Sequence, residues 1–252
     1  MTTNKVFFKN SKGQKICGIL EKPDKDSNRV IILIHGYSSN KNRPSSLLMA
    51  TELSKRGLNS LRIDLNGCGE SDGEFKFQTI TSTVDDTEVA MEYLKSLDYT
   101  QIELFGASAG GLTAMAVALK HPEIVRLGLK SPVSDYADQK LKRKGEYGIA
   151  EWKNAGFVIY KSLSSGREYE IDYSVFEDYK NYIMLDRVKD IKCPTLIIHG
   201  DADDIVDIEY SKRLVKNFPN VEFVVMSGAN HTFDKDEDRV LVNNLFGEWF
   251  EN

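Results

Sequence analysis

The stretch Gly106-Ala107-Ser108-Ala109-Gly110 decides the fold, because it sets a serine between two glycines where the sequence pattern changes. An apolar run, 102–105, precedes it, and a run rich in alanine, leucine and valine, 112–119, follows it. This pattern predicts a buried strand, a tight turn and a helix, with the serine hydroxyl exposed at the turn. The helix would point its N-terminal amides at an anion forming near the serine. Ser108 is therefore a candidate nucleophile.

Composition excludes several classes of protein. The chain has 252 residues, of which 41% are hydrophobic and 28% charged, and its formal net charge is −5. That length suits one large α/β domain. The sequence is acidic overall and lacks the stripe of basic residues that is typical of a nucleic-acid-binding protein. The longest apolar runs are too short to span a bilayer. We therefore expect no nucleic-acid partner and no membrane span, while homodimer formation stays open.

The cysteines and the N-terminal segment indicate the compartment. Cys17, Cys68 and Cys193 are odd in number and widely spaced, so the sequence predicts neither a disulfide framework nor a metal site. Residues 1–14 are polar and lack the apolar core of a secretory leader. Together these observations predict a cytoplasmic protein with reduced thiols.

Apolar runs of strand length alternate with patterns of helical period along most of the chain. The predicted strands are 6–8, 16–20, 30–34, 58–65, 102–105, 125–129, 195–199 and 221–226, and the predicted helices are 44–56, 83–97, the run after Ser108, and 236–250. This alternation predicts an α/β fold with a mostly parallel central sheet of about eight strands, flanked by helices on both faces.

One segment breaks the alternation. The residues between 131 and 195 number about sixty, far more than a simple crossover connection needs. We interpret 132–190 as an inserted, mainly helical cap over the carboxyl ends of the strands, which divides the core into 1–131 and 191–252. Gly145 and Gly156 are its expected helix breakers. A basic cluster within it, 140–144, is interpreted as a solvated surface, with a phosphate or partner site as the alternative.

Four histidines are candidates for the base that a serine nucleophile needs. His121 ends the helix after Ser108, on the far side, and is expected to cap it. His35 is expected to shape its own loop, and His199 to shape the turn that carries the acid. His231 lies between the last strand and the last helix, at the edge of the sheet that carries Ser108, so we predict it as the general base.

The acid should come from the turn after the strand 195–199, which contains three aspartates. Asp203 is the predicted partner of the His231 ring N–H, where a carboxylate fixes the tautomer and stabilises the imidazolium. Asp201 is expected to bind turn amides, and Asp204 to cap or face solvent. The backbone amide of Ala109 and that of Tyr37 are the predicted oxyanion donors.

Five motifs occur in a characteristic order. They are His35-Gly36-Tyr37, Asp64 with Gly67, Gly69 and Ser71, the turn around Ser108, His199-Gly200-Asp201-Ala202-Asp203, and Asn230-His231. In this order they resemble the α/β-hydrolase superfamily. Within it the chain resembles bacterial carboxylesterases of the cinnamoyl/feruloyl esterase kind, and is similar to monoacylglycerol lipases and acyl-peptidase-like hydrolases.

The resemblance implies a serine hydrolase that cleaves a carboxylic ester of a small molecule through an acyl-enzyme on Ser108, with no cofactor and no metal. Peptidase or amidase activity and thioesterase activity on the same triad are the alternatives. A ligand-binding protein that retains the hydrolase fold without turnover is the third hypothesis.

Overall fold

The computed structural model describes residues 2–23, 27–162 and 165–252. Its strands are β1 (Thr2–Lys9), β2 (Lys15–Lys22), β3 (Arg29–Ile34), β4 (Asn59–Ile63), β5 (Gln101–Ala107), β6 (Leu127–Lys130), β7 (Phe157–Lys161), β8 (Glu168–Asp172), β9 (Thr195–Gly200) and β10 (Val221–Met226). Eight of them form one sheet in the order β1-β2-β4-β3-β5-β6-β9-β10. Strands β1 and β2 pair antiparallel, β2 and β4 likewise, and all other pairs in this sheet are parallel. The prediction of a mostly parallel sheet is confirmed.

Helices cover both faces of this sheet. They are α1 (Pro44–Lys55), α2 (Ile80–Lys95), α3 (Ala109–Lys120), α4 (Tyr136–Ala155), α5 (Tyr173–Tyr179), α6 (Ile208–Val215) and α7 (Asp236–Glu251). Helix α2 begins three residues before its predicted start, because Thr79 and Ser82 form a capping box. Helix α6 is not among the predicted helices, since eight residues give little more than two turns of periodicity.

The core lies in two layers, one on each face of the sheet. Side chains of α2 and α3 pack on one face, while α1 and α7 pack on the other through residues such as Leu53 and Phe246. The middle strand β3 is almost wholly buried, as its continuous aliphatic sequence predicts for a strand covered on both faces. Because β4, β3, β5, β6, β9 and β10 run parallel in the sheet, the turns that follow β5, β9 and β10 meet at one edge.

The connection from β6 to β9 contains more kinds of secondary structure than predicted. It contains α4, the antiparallel pair β7–β8 and α5, so the expectation of a mainly helical segment is incomplete. Helix α4 is interrupted at Gly145 (φ 67°, ψ 170°) and ends before Gly156 (φ 78°), as their predicted role as helix breakers requires. Residues 163–164 of this predicted cap lie outside the described part. Strand β7 was not predicted, although its sequence FVIYK begins with four apolar or aromatic residues; it lies inside the segment that was interpreted as mainly helical.

Candidate active site

Ser108 stands at a strained turn between β5 and α3. Its backbone has φ 55° and ψ −119°. Residues other than glycine rarely adopt this conformation, which is typical of a nucleophile elbow. The flanking glycines are required by space. A Cβ on Gly106 would lie 2.4 Å from the carbonyl oxygen of Gly110, and a Cβ on Gly110 would lie 2.4 Å from that of Ile34. The chain therefore permits this turn only with glycine at both positions.

His231 links the serine to Asp203. Its Nε2 lies 3.0 Å from the Ser108 Oγ, and its Nδ1 lies 2.7 Å from the Asp203 Oδ2. The loop from β10 to α7 that carries His231 is anchored by Phe233, which is fully buried. The structure thus brings the three residues proposed from the sequence into one hydrogen-bonded row.

The Asp203 carboxylate has four donors. Its Oδ1 accepts from the amides of Ile205 and Val206 at 2.9 and 2.8 Å, while its Oδ2 faces the rings of His231 and His199 at 2.7 and 3.0 Å. The His199 Nε2 also donates to the Val206 carbonyl, which can only accept, so this nitrogen carries the proton. The carboxylate is therefore fixed in one orientation.

This setting keeps Asp203 ionised. Burial alone would raise its pKa, but the hydrogen bonds from His199 and His231, the charge of His231 and the Val206 amide outweigh it and hold the pKa below its usual value. The sequence indicated that His199 shapes the turn after β9, but the direct contact between His199 and Asp203 was not predicted. A histidine four residues before the acid was the available signal.

The other two histidines stay away from the row. His35 is buried, and its Nε2 accepts from the Leu65 amide, which places it in loop architecture. His121 caps the end of α3 and contacts Glu88 and Glu123. Both placements agree with the roles that the sequence indicated for them.

The loop after β3 passes directly beside the serine. A Cβ on Gly36 would lie 3.3 Å from the Ser108 Cβ, so the backbone entering Tyr37 runs against the nucleophile. Within the described ranges, the amides of Tyr37 and Ala109 have no acceptor in the protein. Both predicted oxyanion donors are therefore available to a ligand.

Ser108 and His231 open onto a cavity of about 410 Å³. Rings of Tyr37, Tyr136 and Tyr160 form one wall, with the Tyr37 centroid 5.8 Å from that of Tyr136 and 5.0 Å from that of Tyr160. Two of these rings come from the segment between β6 and β9. A volume of this size suits a small organic molecule.

The basic cluster at 140–144 divides between surface and cavity. Lys142, Arg143 and Lys144 are exposed, as predicted, although Arg143 also lies at the cavity. Lys140 is half-buried and lines the cavity, so the interpretation as a solvated surface is wrong for this residue. The Lys140 ammonium lies over three tyrosine rings, one of them 4.7 Å away. Sequence could not show this turn inward, because two of the rings come from distant parts of the chain.

A separate charged cluster lies near the start of α1. Ligand atoms of Cys17, Asp64 and Glu70 lie within 4.8 Å of one another. The Lys41 ammonium already contacts both carboxylates, at 2.5 and 2.9 Å. A cation of the protein thus occupies the place of a metal, and Asp64 acts as a structural partner of the loop.

No helix in the described ranges is long and apolar enough to cross a membrane.

Comparisons with known proteins identify the family of this chain. The model of the prolyl oligopeptidase family matches residues 45–252. The bovine mitochondrial palmitoyl-protein thioesterase ABHD10 is 27% identical over 222 residues, covering 84% of this chain and 70% of that protein. Proline iminopeptidase of Saccharolobus solfataricus is 23% identical over 253 residues, covering 82% and 80% of the two chains.

A solved structure shares the fold. Est1E from Butyrivibrio proteoclasticus, solved with ferulic acid bound, superimposes with a TM-score of 0.84 at 24% identity, covering 97% of both chains. The expected resemblance to α/β-hydrolases that include bacterial esterases is confirmed. The chain belongs to the prolyl oligopeptidase family and is a serine hydrolase with the α/β-hydrolase fold.

Proposed function

We propose that this protein cleaves carboxylic esters through an acyl-enzyme on Ser108, with His231 as general base and Asp203 as its orienting acid. One observation carries the proposal: the unbroken row from the Ser108 Oγ through both ring nitrogens of His231 to Asp203, with the serine open to the cavity. A binding protein without turnover would not need a strained serine that is joined to an ionised carboxylate.

The first step is attack on the carbonyl carbon. The Ser108 O–H donates to the His231 Nε2, which takes the proton as the C–O bond forms. The imidazolium is stabilised by Asp203, whose charge is secured by its four donors. His231 then gives the proton to the leaving alcohol, and the acyl group stays on the serine.

The amides of Tyr37 and Ala109 are proposed to bind the oxyanion. Both lie beside the serine and have no protein acceptor among the described residues. One such donor contributes about 3 kcal/mol to the transition state where it has been removed in comparable sites. In the second half of the reaction His231 activates water, and the same amides bind the second tetrahedral intermediate.

The segment 132–190 is proposed to act as a cap on this site. Tyr136 and Tyr160 come from it and form a wall of the cavity. A wall of this kind shields the acyl-enzyme from bulk water and selects substrates by shape.

A thioester is the second candidate bond. The observation in its favour is the 27% identity to the bovine palmitoyl-protein thioesterase. The same row of residues attacks both kinds of carbonyl, since only the leaving group differs. The similarity to proline iminopeptidase keeps an amide bond as a third candidate.

Three substrates with one acyl group separate the candidates: 4-nitrophenyl butyrate, S-(4-nitrophenyl) thiobutyrate and N-(4-nitrophenyl) butyramide. We expect the largest ratio of kcat/KM over the uncatalysed rate constant for the oxygen ester. We also expect loss of turnover in Ser108→Ala but not in Ser96→Ala, which changes an exposed serine at the end of α2. A larger ratio for the thioester or the anilide would reassign the bond, and turnover by Ser108→Ala would refute the acyl-enzyme.

A further inference from the structure

The cavity above Ser108 is strongly basic in a protein of net charge −5. The cationic side chains among its described lining residues are Arg43, Lys130, Lys140, Arg143 and Arg239, against the carboxylate of Asp234. Such a local excess of positive charge attracts an anionic ligand and raises its concentration at the site. The chain thus concentrates cations where the substrate binds.

Lys130 is the most unusual of these cations. It is only 8% exposed, yet its ammonium has neither a carboxylate nor a hydrogen-bond acceptor within the ranges that the structure describes. This ammonium lies over the Phe233 ring, 5.1 Å from its centroid. A buried cation without a partner is costly, so such a group calls for a functional explanation.

Outside the cavity, the buried charges among the described residues have partners. Lys41 pairs with Asp64, Arg62 with Glu21 at 2.7 Å, and Glu103 with Arg29 at 2.8 Å. These pairs show the ordinary solution for a buried charge in this fold. Lys130 departs from it in a cavity where a ligand could supply the missing partner.

The position of Lys130 ties it to the reaction centre. It is the last residue of β6, and its Cα lies opposite that of Ala107 in β5. Its carbonyl accepts from the Ser108 amide at 2.9 Å. The side chain therefore enters the cavity from the strand next to the nucleophile.

Lys140 is a second unpaired cation in the cavity wall. Its contacts are the rings of Tyr136, Tyr37 and Tyr160, at 4.7, 5.7 and 5.8 Å, and no described carboxylate pairs with it. The rings partly stabilise this ammonium, so it needs a ligand less than Lys130 does. Burial lowers the pKa of Lys130 and that of Lys140 to about 8, which leaves both mostly charged at neutral pH.

We infer that the cavity selects an ester or thioester that carries an anionic group, such as a carboxylate, in its acyl or its alcohol part, and that Lys130 pairs with that group. The inference rests on the proposed function, because it names the substrate class of the same site. The anion would replace the missing partner of Lys130 and balance the cations around it. Lys140 adds attraction from the cap side.

Two matched pairs of esters test the inference. The acyl pair is the mono-4-nitrophenyl ester of glutaric acid and 4-nitrophenyl pentanoate, which have acyl chains of equal length. The alcohol pair is 4-acetoxybenzoate and its neutral methyl ester. In at least one pair we expect the wild type to favour the anion about tenfold or more in kcat/KM, as a charged hydrogen bond typically provides.

Substitutions assign the preference to the lysine. Lys130→Met should abolish the preference for the anionic ester, and Lys130→Arg should restore part of that preference. The control Lys153→Met changes an exposed lysine of α4 outside the cavity and should keep the wild-type ratio. Preference for the neutral ester in both pairs, or an unchanged ratio in Lys130→Met, would overturn the inference.

A binding measurement separates this inference from the proposed function. Calorimetry with glutarate on Ser108→Ala should detect binding that is lost when Lys130→Met is added. If no ester is cleaved but glutarate binds through Lys130, the proposed function fails and the anion site stands. If neutral esters are cleaved through Ser108 but glutarate does not bind, the anion site fails alone.

Discussion

The hydrogen-bonded row of Ser108, His231 and Asp203 differs from the wall of the cavity in how its charged groups are paired. In the row, Asp203 receives four hydrogen bonds, and each ring nitrogen of His231 has a partner. In the wall, Lys130 is also buried, but its ammonium has no oxygen atom to pair with in the described part of the chain. The difference teaches that the fold supplies hydrogen-bond partners to the residues proposed to be catalytic and leaves without a partner the cation proposed to bind the substrate.

Ser108→Ala should produce the largest loss of catalytic activity. Removing the Oγ removes the nucleophile, so kcat for an oxygen ester should fall by about 10⁴-fold or more. The fold should persist, because among the described residues the Ser108 Oγ forms a hydrogen bond only with His231. Steady-state rates with 4-nitrophenyl butyrate, alongside circular dichroism, check both points. A variant that keeps a tenth of the activity would break the distinction between row and wall.

Asp203→Asn should follow, with a loss of about 10³- to 10⁴-fold in kcat. The amide cannot stabilise the imidazolium, and its NH₂ would face the proton on the ring of His199 or His231. The matched control is Asp204→Asn, an exposed residue of the same turn, for which we expect the wild-type rate. Equal rates for the two variants would show that Asp203 does not act through His231.

The free energy of unfolding should respond differently to the loss of Lys130 and to the loss of Lys41, a lysine that has a partner. Lys41→Met leaves Asp64 buried without its cation, so the free energy of unfolding should fall by about 3 kcal/mol or more. Lys130→Met removes a buried charge that has no partner, so stability should stay equal or rise by about 1 kcal/mol. Urea unfolding of both variants measures the difference. A marked loss of stability in Lys130→Met would reveal a structural role and weaken the comparison.

The smallest expected effect is that of pH on the anion preference. Burial first, and then the charge of Arg239, lowers the pKa of Lys130 to about 8, so its charge is present below pH 8 and lost above it. The ratio of kcat/KM for the glutarate monoester over the pentanoate ester should therefore decline as pH rises through about 8. His231 acts on both esters, so its titration cancels in the ratio. A ratio that stays level from pH 7 to 10 would argue against Lys130 as the partner.

Much of this arrangement could be predicted because strand order and turn position determine it. A serine between glycines after a buried strand, a histidine after the last strand and an aspartate after the strand before it must meet where parallel strands end. The eight-stranded sheet follows from the same alternation. These features depend on local pattern and chain order, both of which are visible in the sequence.

The rest depends on contacts between distant residues. Lys130 ends an apolar strand at the serine's edge, which was a signal, but its lack of a partner appears only when the surrounding loops are in place. Lys140 turns inward because Tyr37 and Tyr160 offer ring faces from far along the chain. The pair β7–β8 has the alternating exposure of half-buried strands, and its antiparallel pairing joins two short segments that the sequence does not show to be partners.

The most direct test of the central claim is labelling with a fluorophosphonate probe, followed by intact mass and peptide mapping. The account predicts one adduct per chain, on Ser108, that is absent from Ser108→Ala and forms far more slowly in His231→Gln. A folded protein that stays unlabelled, or one that carries the adduct on another residue, would contradict it.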